Sequence, residues 1–224
     1  MKLRLSTRPD QIRLETHLEK HLDWYSANNL LAIGDTHLAD SKRLALFCSK
    51  RCPGSLIIQT HDLAHAFRDA GIMVIGGFHS PVERECLNVL LKGAQPLIIC
   101  PARSLDGMRV PVEWRTPIAQ GRLLLLSPFP KKQRRATADL AQKRNQFVAA
   151  LADAVFIAYA ASGSATELLC KTILSWGKIV LTFEHSEDAP LIHIGARAVS
   201  LDPALQEMRS LESQSPRRNH ASSC

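Results

Sequence analysis

The chain has 224 residues, of which 46% are hydrophobic, 22% charged and 5% aromatic, and its formal net charge is +7. This length suits one domain with short flanking segments, whose core is large enough to fold without a disulfide or a structural metal. No apolar run reaches the roughly 18 residues of a membrane span and no signal-peptide pattern is present, so we expect a soluble, cytoplasmic protein without a membrane partner.

Six short apolar runs alternate with segments of helical spacing along the chain. The runs are continuous, which is typical of strands buried on both faces of a parallel sheet. They cover residues 30–33, 72–75, 95–100, 123–126, 154–158 and 179–183. The helical segments cover residues 62–70, 82–92, 138–151 and 164–176, and the last is expected to bury both Leu168 and Leu169.

This strand–helix repetition predicts an α/β protein with a Rossmann-like, doubly wound, mainly parallel sheet of six or more strands and helices on both faces. We place this domain at residues 29–202. Residues 1–28 show a charged helical pattern with Ile12, Leu14, Leu18 and Leu22 on its apolar face, which predicts an N-terminal helical extension. Residues 203–224 lack an apolar period and predict a disordered polar tail.

The cysteines and the glycine-rich motifs give no sign of a metal or a cofactor. Only Cys48 and Cys52 of the six cysteines lie close together, and no second pair follows at zinc-finger spacing. We therefore expect reduced thiols and no metal site. The chain contains neither the phosphate-binding loop of nucleotide hydrolases nor the dinucleotide fingerprint, so we expect no cofactor.

Positive charge is concentrated in one segment, residues 131–144, which contains six bases and one acid, Asp139. A local surplus of this kind favours a phosphate-binding surface, although a solvated loop is an equally open interpretation. The six bases are Lys131, Lys132, Arg134, Arg135, Lys143 and Arg144. Few aromatic residues are available for stacking on bases; Phe78, Trp114 and Phe129 are the candidates, so electrostatic binding should dominate.

Ligands of open parallel sheets bind at the carboxyl ends of the strands. The loops expected there cover residues 34–37, 76–80, 101–104, 127–130 and 162–167. The last loop combines small residues with the hydroxyls of Ser162, Ser164 and Thr166 just before a helix, which suits a phosphate. Ser164 and Glu167 also have the spacing of a capping box, and the two interpretations are compatible.

Three segments resemble the DNA-processing protein A (DprA/Smf) family: Gly76-Gly77-Phe78-His79-Ser80-Pro81-Val82-Glu83, the Arg144-Asn145 helix that leads into an Ala-Val strand, and Ser162-Gly163-Ser164-Ala165-Thr166. The resemblance implies an extended Rossmann fold that binds single-stranded DNA and helps to load a recombinase during natural transformation. A homodimer is a further expectation. The candidate nucleic-acid- or phosphate-binding residues are Gly76, Gly77, His79, Lys131, Lys132, Arg134, Arg135, Lys143, Arg144, Asn145, Ser162, Gly163, Ser164 and Thr166.

The chain also departs from that family's pattern. The Gly-Ser-Arg that follows the family's first strand is matched here with Gly34-Asp35-Thr36, which removes an arginine from the pocket. The Gly-Ile-Asp and histidine that follow the second strand are replaced by residues 79–83.

The alternative is a nucleotide-derived ligand, held at residues 162–166 with Arg144 on its phosphate, or a phosphoribohydrolase of the lonely-guy type. Arg144 and Asp153 reproduce the Arg–Asp spacing of those hydrolases, but Glu167 is displaced from both of their glutamate positions. Without a placed acid or base we expect a binding protein rather than an enzyme. Arg144 itself is either a phosphate ligand or a scaffold residue paired with Asp139 or Asp153.

Overall fold

The computed structural model of the chain describes residues 5–6, 17–200 and 206. The strands in this part are β1 (Leu5–Ser6), β2 (Leu31–Ile33), β3 (Leu44–Cys48), β4 (Val74–Gly76), β5 (Leu97–Ile99), β6 (Leu123–Ser127), β7 (Ala154–Tyr159), β8 (Val180–Phe183) and β9 (Arg197–Val199). The α-helices are α1 (His17–His21), α2 (Gly54–Asp69), α3 (Pro81–Leu90), α4 (Val112–Ala119), α5 (Ala138–Leu151), α6 (Ala165–Ser175) and α7 (Ala189–His193).

The described strands form one sheet in the order β1-β2-β6-β5-β4-β3-β7-β8-β9. The strands from β3 to β9 run parallel to one another, whereas β2 pairs antiparallel with β6 and β1 antiparallel with β2. The chain winds from β3 towards β6 on one side and from β7 towards β9 on the other. The strand order therefore reverses between β3 and β7, where open α/β sheets form their binding crevice.

Helices cover both faces of the sheet and confirm the predicted fold class. The core cluster on one face contains residues of α2 and α3, and the cluster on the other contains residues of α1, α5 and α6. Every residue of β3 and β6 is buried, as the continuous apolar runs of central parallel strands require.

The sheet differs from the prediction in two ways that affect the site. The strand β3 was not among the six predicted, although it lies at the centre of the sheet. The first predicted strand, β2, runs antiparallel to β6, so the loop of residues 34–37 lies at the amino ends of the parallel strands. The expectation that this loop contributes to the carboxyl-end site was therefore wrong.

Most helices follow the predicted segments. The short helix α7 was not predicted, and three further differences follow. The bounds of α5 are those predicted, whereas α2 begins at Gly54 rather than Asp62, and α4 was not predicted and contains Pro117. Leu168 is 63% exposed, contrary to expectation, while Leu169 is buried. The two side chains are adjacent on α6, about 100° apart around its axis, so the sheet covers only one of them.

Leu18 of α1 and Leu22, which follows that helix, are both buried in the core cluster that contains residues of α5 and α6. The predicted inward residues Ile12 and Leu14, and the predicted tail apart from residue 206, lie outside the described residues. No helix in the described part of the chain is long and apolar enough to cross a membrane.

Candidate nucleic-acid interface

Five loops lie side by side at the carboxyl ends of β6, β5, β4, β3 and β7, which are neighbours in that order. We call this surface the carboxyl edge. Its loops comprise residues 128–137 after β6, 100–111 after β5, 77–80 after β4, 49–53 after β3 and 160–164 after β7. Because neighbouring strands lie about 4.8 Å apart, the five loops span roughly 19 Å.

Ser49 joins the two loops at the point where the strand order reverses. Its backbone N–H donates to the Tyr159 carbonyl oxygen over 2.9 Å, and its hydroxyl oxygen accepts from the Ala161 N–H over 3.1 Å. The Ser49 and Ser164 hydroxyl oxygens are 3.3 Å apart. The loop after β3 and the predicted phosphate-binding loop after β7 are therefore a single hydrogen-bonded unit.

This geometry corrects the match with the family's Gly-Ser-Arg. The first parallel strand is β3, and it leads into Ser49, Lys50 and Arg51. An arginine, which was expected to be missing, is thus present at the carboxyl edge, and Lys50 and Arg51 are both exposed. The departure inferred from Gly34-Asp35-Thr36 was wrong because that segment follows an antiparallel strand.

The loop before α6 combines a capped helix with exposed small residues. The Ser164 hydroxyl accepts from the Glu167 N–H over 3.2 Å, which is half of the predicted capping box. The Glu167 carboxylate accepts instead from the Gly163 N–H over 2.6 Å, and it also pairs with Lys171. These contacts lower the pKa of Glu167, the Lys171 hydrogen bond most. Ser162 and Gly163 are exposed, and Thr166 is half-buried.

Glu83 ties the loops after β3 and β4 together. Its buried carboxylate accepts hydrogen bonds from the backbone N–H groups of Cys48, His79 and Ser80, over 3.0, 2.8 and 3.2 Å. Ser80 completes a full capping box with Glu83 at the start of α3. His79 is held by its backbone while its side chain is exposed to solvent at the carboxyl edge.

Arg144 is buried beneath the same loops, with 3% of its surface exposed. Its guanidinium donates from Nη1 to the Cys100 carbonyl oxygen over 3.1 Å and from Nε to Asn145 Oδ1 over 2.7 Å. A Cβ atom at Gly77 would overlap the guanidinium, so only glycine leaves room for it there. Burial lowers the pKa of Arg144, and the nearby Glu83 charge opposes that shift.

The acids proposed as scaffold partners of Arg144 are engaged elsewhere. Asp139 pairs with Lys143 over 3.1 Å, and Asp153 pairs with Lys42 over 2.8 Å. Asp153 precedes β7 and therefore lies at the amino ends of the strands, away from the carboxyl edge. Those pairings were wrong, and the nine-residue Arg–Asp spacing does not bring the two side chains into one site.

The burial of Arg144 has a signal in the sequence. Arg144 follows Leu140 by four residues and precedes Phe147 by three, so helical periodicity places all three on one face. Both Leu140 and Phe147 are buried. The inward face of α5 thus includes one of the six bases of the charged segment.

The other bases of that segment remain at the surface. Lys131, Lys132, Arg134 and Arg135 are exposed in the loop after β6, and Lys143 is half-buried. This loop is fastened to its neighbour, since the Ser104 N–H donates to the Gln133 carbonyl oxygen over 2.7 Å and Arg134 pairs with Asp106 over 2.7 Å.

The structure adds cations that the sequence analysis did not select. Lys50 and Arg51 follow β3, and the half-buried Arg103 follows β5. The sequence signal for these cations is their position directly after a parallel strand. For Lys50 and Arg51, that signal can be read only if β3 is recognised. Beyond β7 the charge changes sign, because Glu184 and Glu187 are exposed after β8. Positive charge is therefore confined to the part of the edge from β6 to β3.

The aromatic candidates are mostly unavailable for base stacking. Phe78 and Phe129 are buried, and Phe129 stacks on Trp24 with ring centroids 6.1 Å apart. Trp114 is half-buried and, with Phe78, lines a cavity of about 550 Å³ between α2, α3 and α4. The described residues contain no group of three or more side chains that could hold a metal ion.

Comparison with known families identifies the family to which the chain belongs. A model of the DNA recombination-mediator protein A family matches residues 18–201, which is most of the chain. The chain belongs to this family. The resemblance drawn from the three sequence segments is thereby confirmed. No curated protein sequence matches the chain at a significant level.

Solved structures support the fold of this DNA recombination-mediator protein A family member. DNA processing protein A of Helicobacter pylori, described for its single-stranded DNA binding mode, matches with TM-score 0.75 and 20% identity over 94% of this chain and 98% of that chain. The Streptococcus pneumoniae protein matches with TM-score 0.68 and 17% identity, over 92% and 75% of the two chains.

A molybdenum cofactor binding protein from Rippkaea orientalis matches less well, with TM-score 0.53 and 11% identity over 76% of this chain and 97% of that chain. At such identities these likenesses show a shared fold. The ligand of this family member must therefore be argued from its own carboxyl edge.

Proposed function

We propose that this protein binds the backbone of single-stranded DNA along the carboxyl edge, as a member of a recombination-mediator family. The observation that supports this most is that exposed cations follow two strands, β6 and β3, at the same edge of the sheet, with β5 and β4 between them. The loop after β6 contributes Lys131, Lys132, Arg134 and Arg135, and the loop after β3 contributes Lys50 and Arg51.

The spacing of these loops favours a polymer. An edge of roughly 19 Å, with cations at both ends of the β6–β3 stretch, can meet several successive phosphates. Lys and Arg bind phosphates without selecting a base sequence. Because few aromatic side chains are exposed, stacking of bases on aromatic rings contributes little. Binding of this kind is strongest at low salt and tolerant of base composition.

The loop after β7 would extend the surface by another phosphate. Ser162 and Gly163 are exposed just before α6, where the hydroxyls of Ser162 and Thr166 and the helix dipole favour an anion. The Gly163 N–H is not one of the donors, because it already donates to Glu167. The hydrogen bond of this loop to Ser49 places it next to Lys50 and Arg51. These neutral donors and the two cations together form the centre of the proposed interface.

Arg144, Asn145, Gly76 and Gly77 take a supporting role in this proposal. Arg144 is too deeply buried for its charge to meet a solvated backbone without rearrangement, and its hydrogen bonds hold the loop after β5. Gly77 provides the space that the guanidinium occupies. The cluster would fix the positions of the loops that carry His79 and Arg103, and thereby how far these side chains extend from the carboxyl edge.

The nucleotide alternative receives no comparable support. That hypothesis needs the Arg144 guanidinium to pair with a phosphate held at residues 162–166, but Arg144 is buried and donates to the Cys100 carbonyl oxygen and to Asn145. Glu167 is occupied by Lys171 and Gly163. A recombinase partner and a homodimer remain proposals that follow from the family alone.

Fluorescence anisotropy with labelled oligo-dT tests the proposed function. We expect saturable binding at low salt that weakens steeply as salt is added, with little difference between oligo-dT and mixed sequences. Unlabelled oligonucleotide should displace the probe, whereas nucleoside monophosphates at the same nucleotide concentration should not. Displacement by a monophosphate, or a melting temperature raised by nucleotides but not by oligonucleotides, would favour the alternative.

A further inference from the structure

Two thiols enclose the central loop of the proposed interface. Cys48 is the last residue of β3 and is buried, whereas Cys52 is half-buried and precedes Pro53, the N-cap residue of α2. Ser49, Lys50 and Arg51 are the residues between them. Cys52 packs against the same core cluster that contains Cys48 and Cys86.

We propose that Cys48 and Cys52 form a site of reversible oxidation by peroxides, at which a disulfide closes the loop of residues 49–51. The inference has a consequence that depends on the proposed function: the oxidised protein should bind single-stranded DNA more weakly. A covalent bond draws Cys52 closer to β3 than two unbonded sulfur atoms can approach. Lys50 and Arg51 must then move with the shortened loop.

The surroundings of Cys52 favour a thiolate. The neighbouring Cys48 thiol lowers the pKa of Cys52, while burial and the Asp188 charge oppose that shift. Cys52 also lies two residues before the 16-residue helix α2, whose N-cap residue Pro53 makes no side-chain cap hydrogen bond. Helix N-termini stabilise thiolates, and thiolates react with peroxides.

Cys48 is suited to the second, resolving step. The interaction with Cys52 and burial raise the pKa of Cys48, so it stays a thiol until its neighbour has reacted. A reactive thiolate beside a resolving cysteine is the arrangement that protein redox sites use.

The chemistry balances with hydrogen peroxide as the oxidant. The Cys52 thiolate attacks one peroxide oxygen, the O–O bond breaks, and the leaving hydroxide takes up a proton to form water. Cys48 then attacks the sulfur of the resulting sulfenic acid, the S–O bond breaks, and a second water leaves with the Cys48 proton. Two thiols are oxidised to one disulfide, and one peroxide is reduced to two waters.

The other described thiols differ in their environment. Burial raises the pKa of Cys86 and of Cys100 to about 12, and that of Cys170 to about 11. At neutral pH they are fully protonated and shielded, so we expect selective oxidation of the Cys48–Cys52 pair.

The experiment treats the reduced full-length protein with a modest excess of hydrogen peroxide and maps disulfides by peptide mass spectrometry without reduction. We expect a disulfide between Cys48 and Cys52 that dithiothreitol reverses. In Cys48→Ser the reaction should stop at a sulfenic acid on Cys52 that dimedone traps. Cys52→Ser should form no such disulfide or adduct, and the matched control Cys170→Ser should behave like the wild type.

The same samples are then titrated with oligo-dT. Because two cations of the interface are displaced, oxidation should weaken binding at least about fivefold, and dithiothreitol should restore it. Cys52→Ser should be insensitive to peroxide. Failure to form the Cys48–Cys52 disulfide overturns the proposed site, and a disulfide with unchanged affinity overturns its control of binding. Reduced protein that binds no oligo-dT contradicts the proposed function instead, and the mass measurement then decides the oxidation site by itself.

Discussion

At the scale of single residues, the Arg144 guanidinium occupies the space that a side chain at Gly77 would need. We predict that Gly77→Ala lowers the free energy of unfolding by roughly 1–3 kcal/mol, because an added methyl group displaces a buried guanidinium. Urea denaturation measures the change. The matched control is Gly54→Ala, where nothing lies within 4 Å of the added Cβ atom. If both variants unfold at the same urea concentration, Arg144 is not held where the structure places it.

A second residue-scale prediction concerns Asp188, whose two carboxylate oxygens are buried without a hydrogen-bond partner among the described residues. Burial raises the pKa of this carboxyl to about 7. Since the unfolded chain has a pKa of about 3.9 there, the folded protein binds the extra proton between those values. The contribution of Asp188 to stability is therefore largest at low pH and is lost as the pH rises through about 7.

Asp188→Asn should remove this pH dependence. We expect the variant to be more stable than the wild type at about pH 8, by roughly 1–3 kcal/mol, and the difference to shrink towards about pH 5. Urea denaturation at several pH values gives the two profiles. Glu184→Gln changes a nearby exposed acid and serves as the control. Parallel profiles for Asp188→Asn and the wild type would contradict the raised pKa.

At the scale of elements, the loop after β6 should supply much of the electrostatic binding. We predict that replacing Lys131, Lys132, Arg134 and Arg135 by alanine weakens binding of oligo-dT and makes it less dependent on salt. Each phosphate neutralised on a single strand adds about 0.7 to the magnitude of the slope of log K against log salt, so the slope should fall by about 2–3.

The control removes the same charge from elsewhere. Lys20, Arg68 and Lys92 lie on or after helices, and Lys42 precedes β3, so none of the four lies in the loops of the carboxyl edge. Replacing these four by alanine should change the salt slope much less than replacing the loop cations. Equal losses in the two quadruple variants would mean that net charge, and not the loop after β6, governs binding.

The elements also show how far the sequence could predict this site. Continuous apolar runs and helix caps predicted the parallel sheet and the bounds of α5. The same pattern marks Leu44–Cys48, so β3 was within reach of the sequence. The antiparallel direction of β2 was not, because it depends on pairing with β6, more than 90 residues away along the chain. Because β3 was missed and the direction of β2 was reversed, the Gly34-Asp35-Thr36 loop was assigned to the site in place of the Ser49-Lys50-Arg51 loop.

Individual site residues follow the same division. The exposed bases after β6 were predictable from charge alone. Predicting the burial of Arg144 required using the helical periodicity of α5 to place a basic residue on its inward face. The contact between Gly77 and Arg144 and the three hydrogen bonds of Glu83 join segments that are distant in sequence, so only the assembled fold shows them.

At the scale of the whole molecule, the formal net charge of +7 is unevenly distributed along the sheet, with positive and negative charge at different strand ends. Cations follow β6, β5 and β3, and exposed acids follow β8. A nucleic acid approaching this molecule would be attracted to one side of the β3–β7 crevice and repelled from the far side. The fold thus both places the loops in a row and determines where the row ends.

Hydrogen–deuterium exchange of the protein with and without saturating oligo-dT tests the central claim most directly, because it locates the bound strand on the molecule. We predict protection of backbone amides in residues 49–53, 77–80, 100–104 and 128–137, with extension into residues 160–164. Residues 34–37 and the segment after β8 should exchange at unchanged rates. Protection confined to the amino ends of the strands or to the segment after β8, with the loops of the carboxyl edge unaffected, would contradict the account.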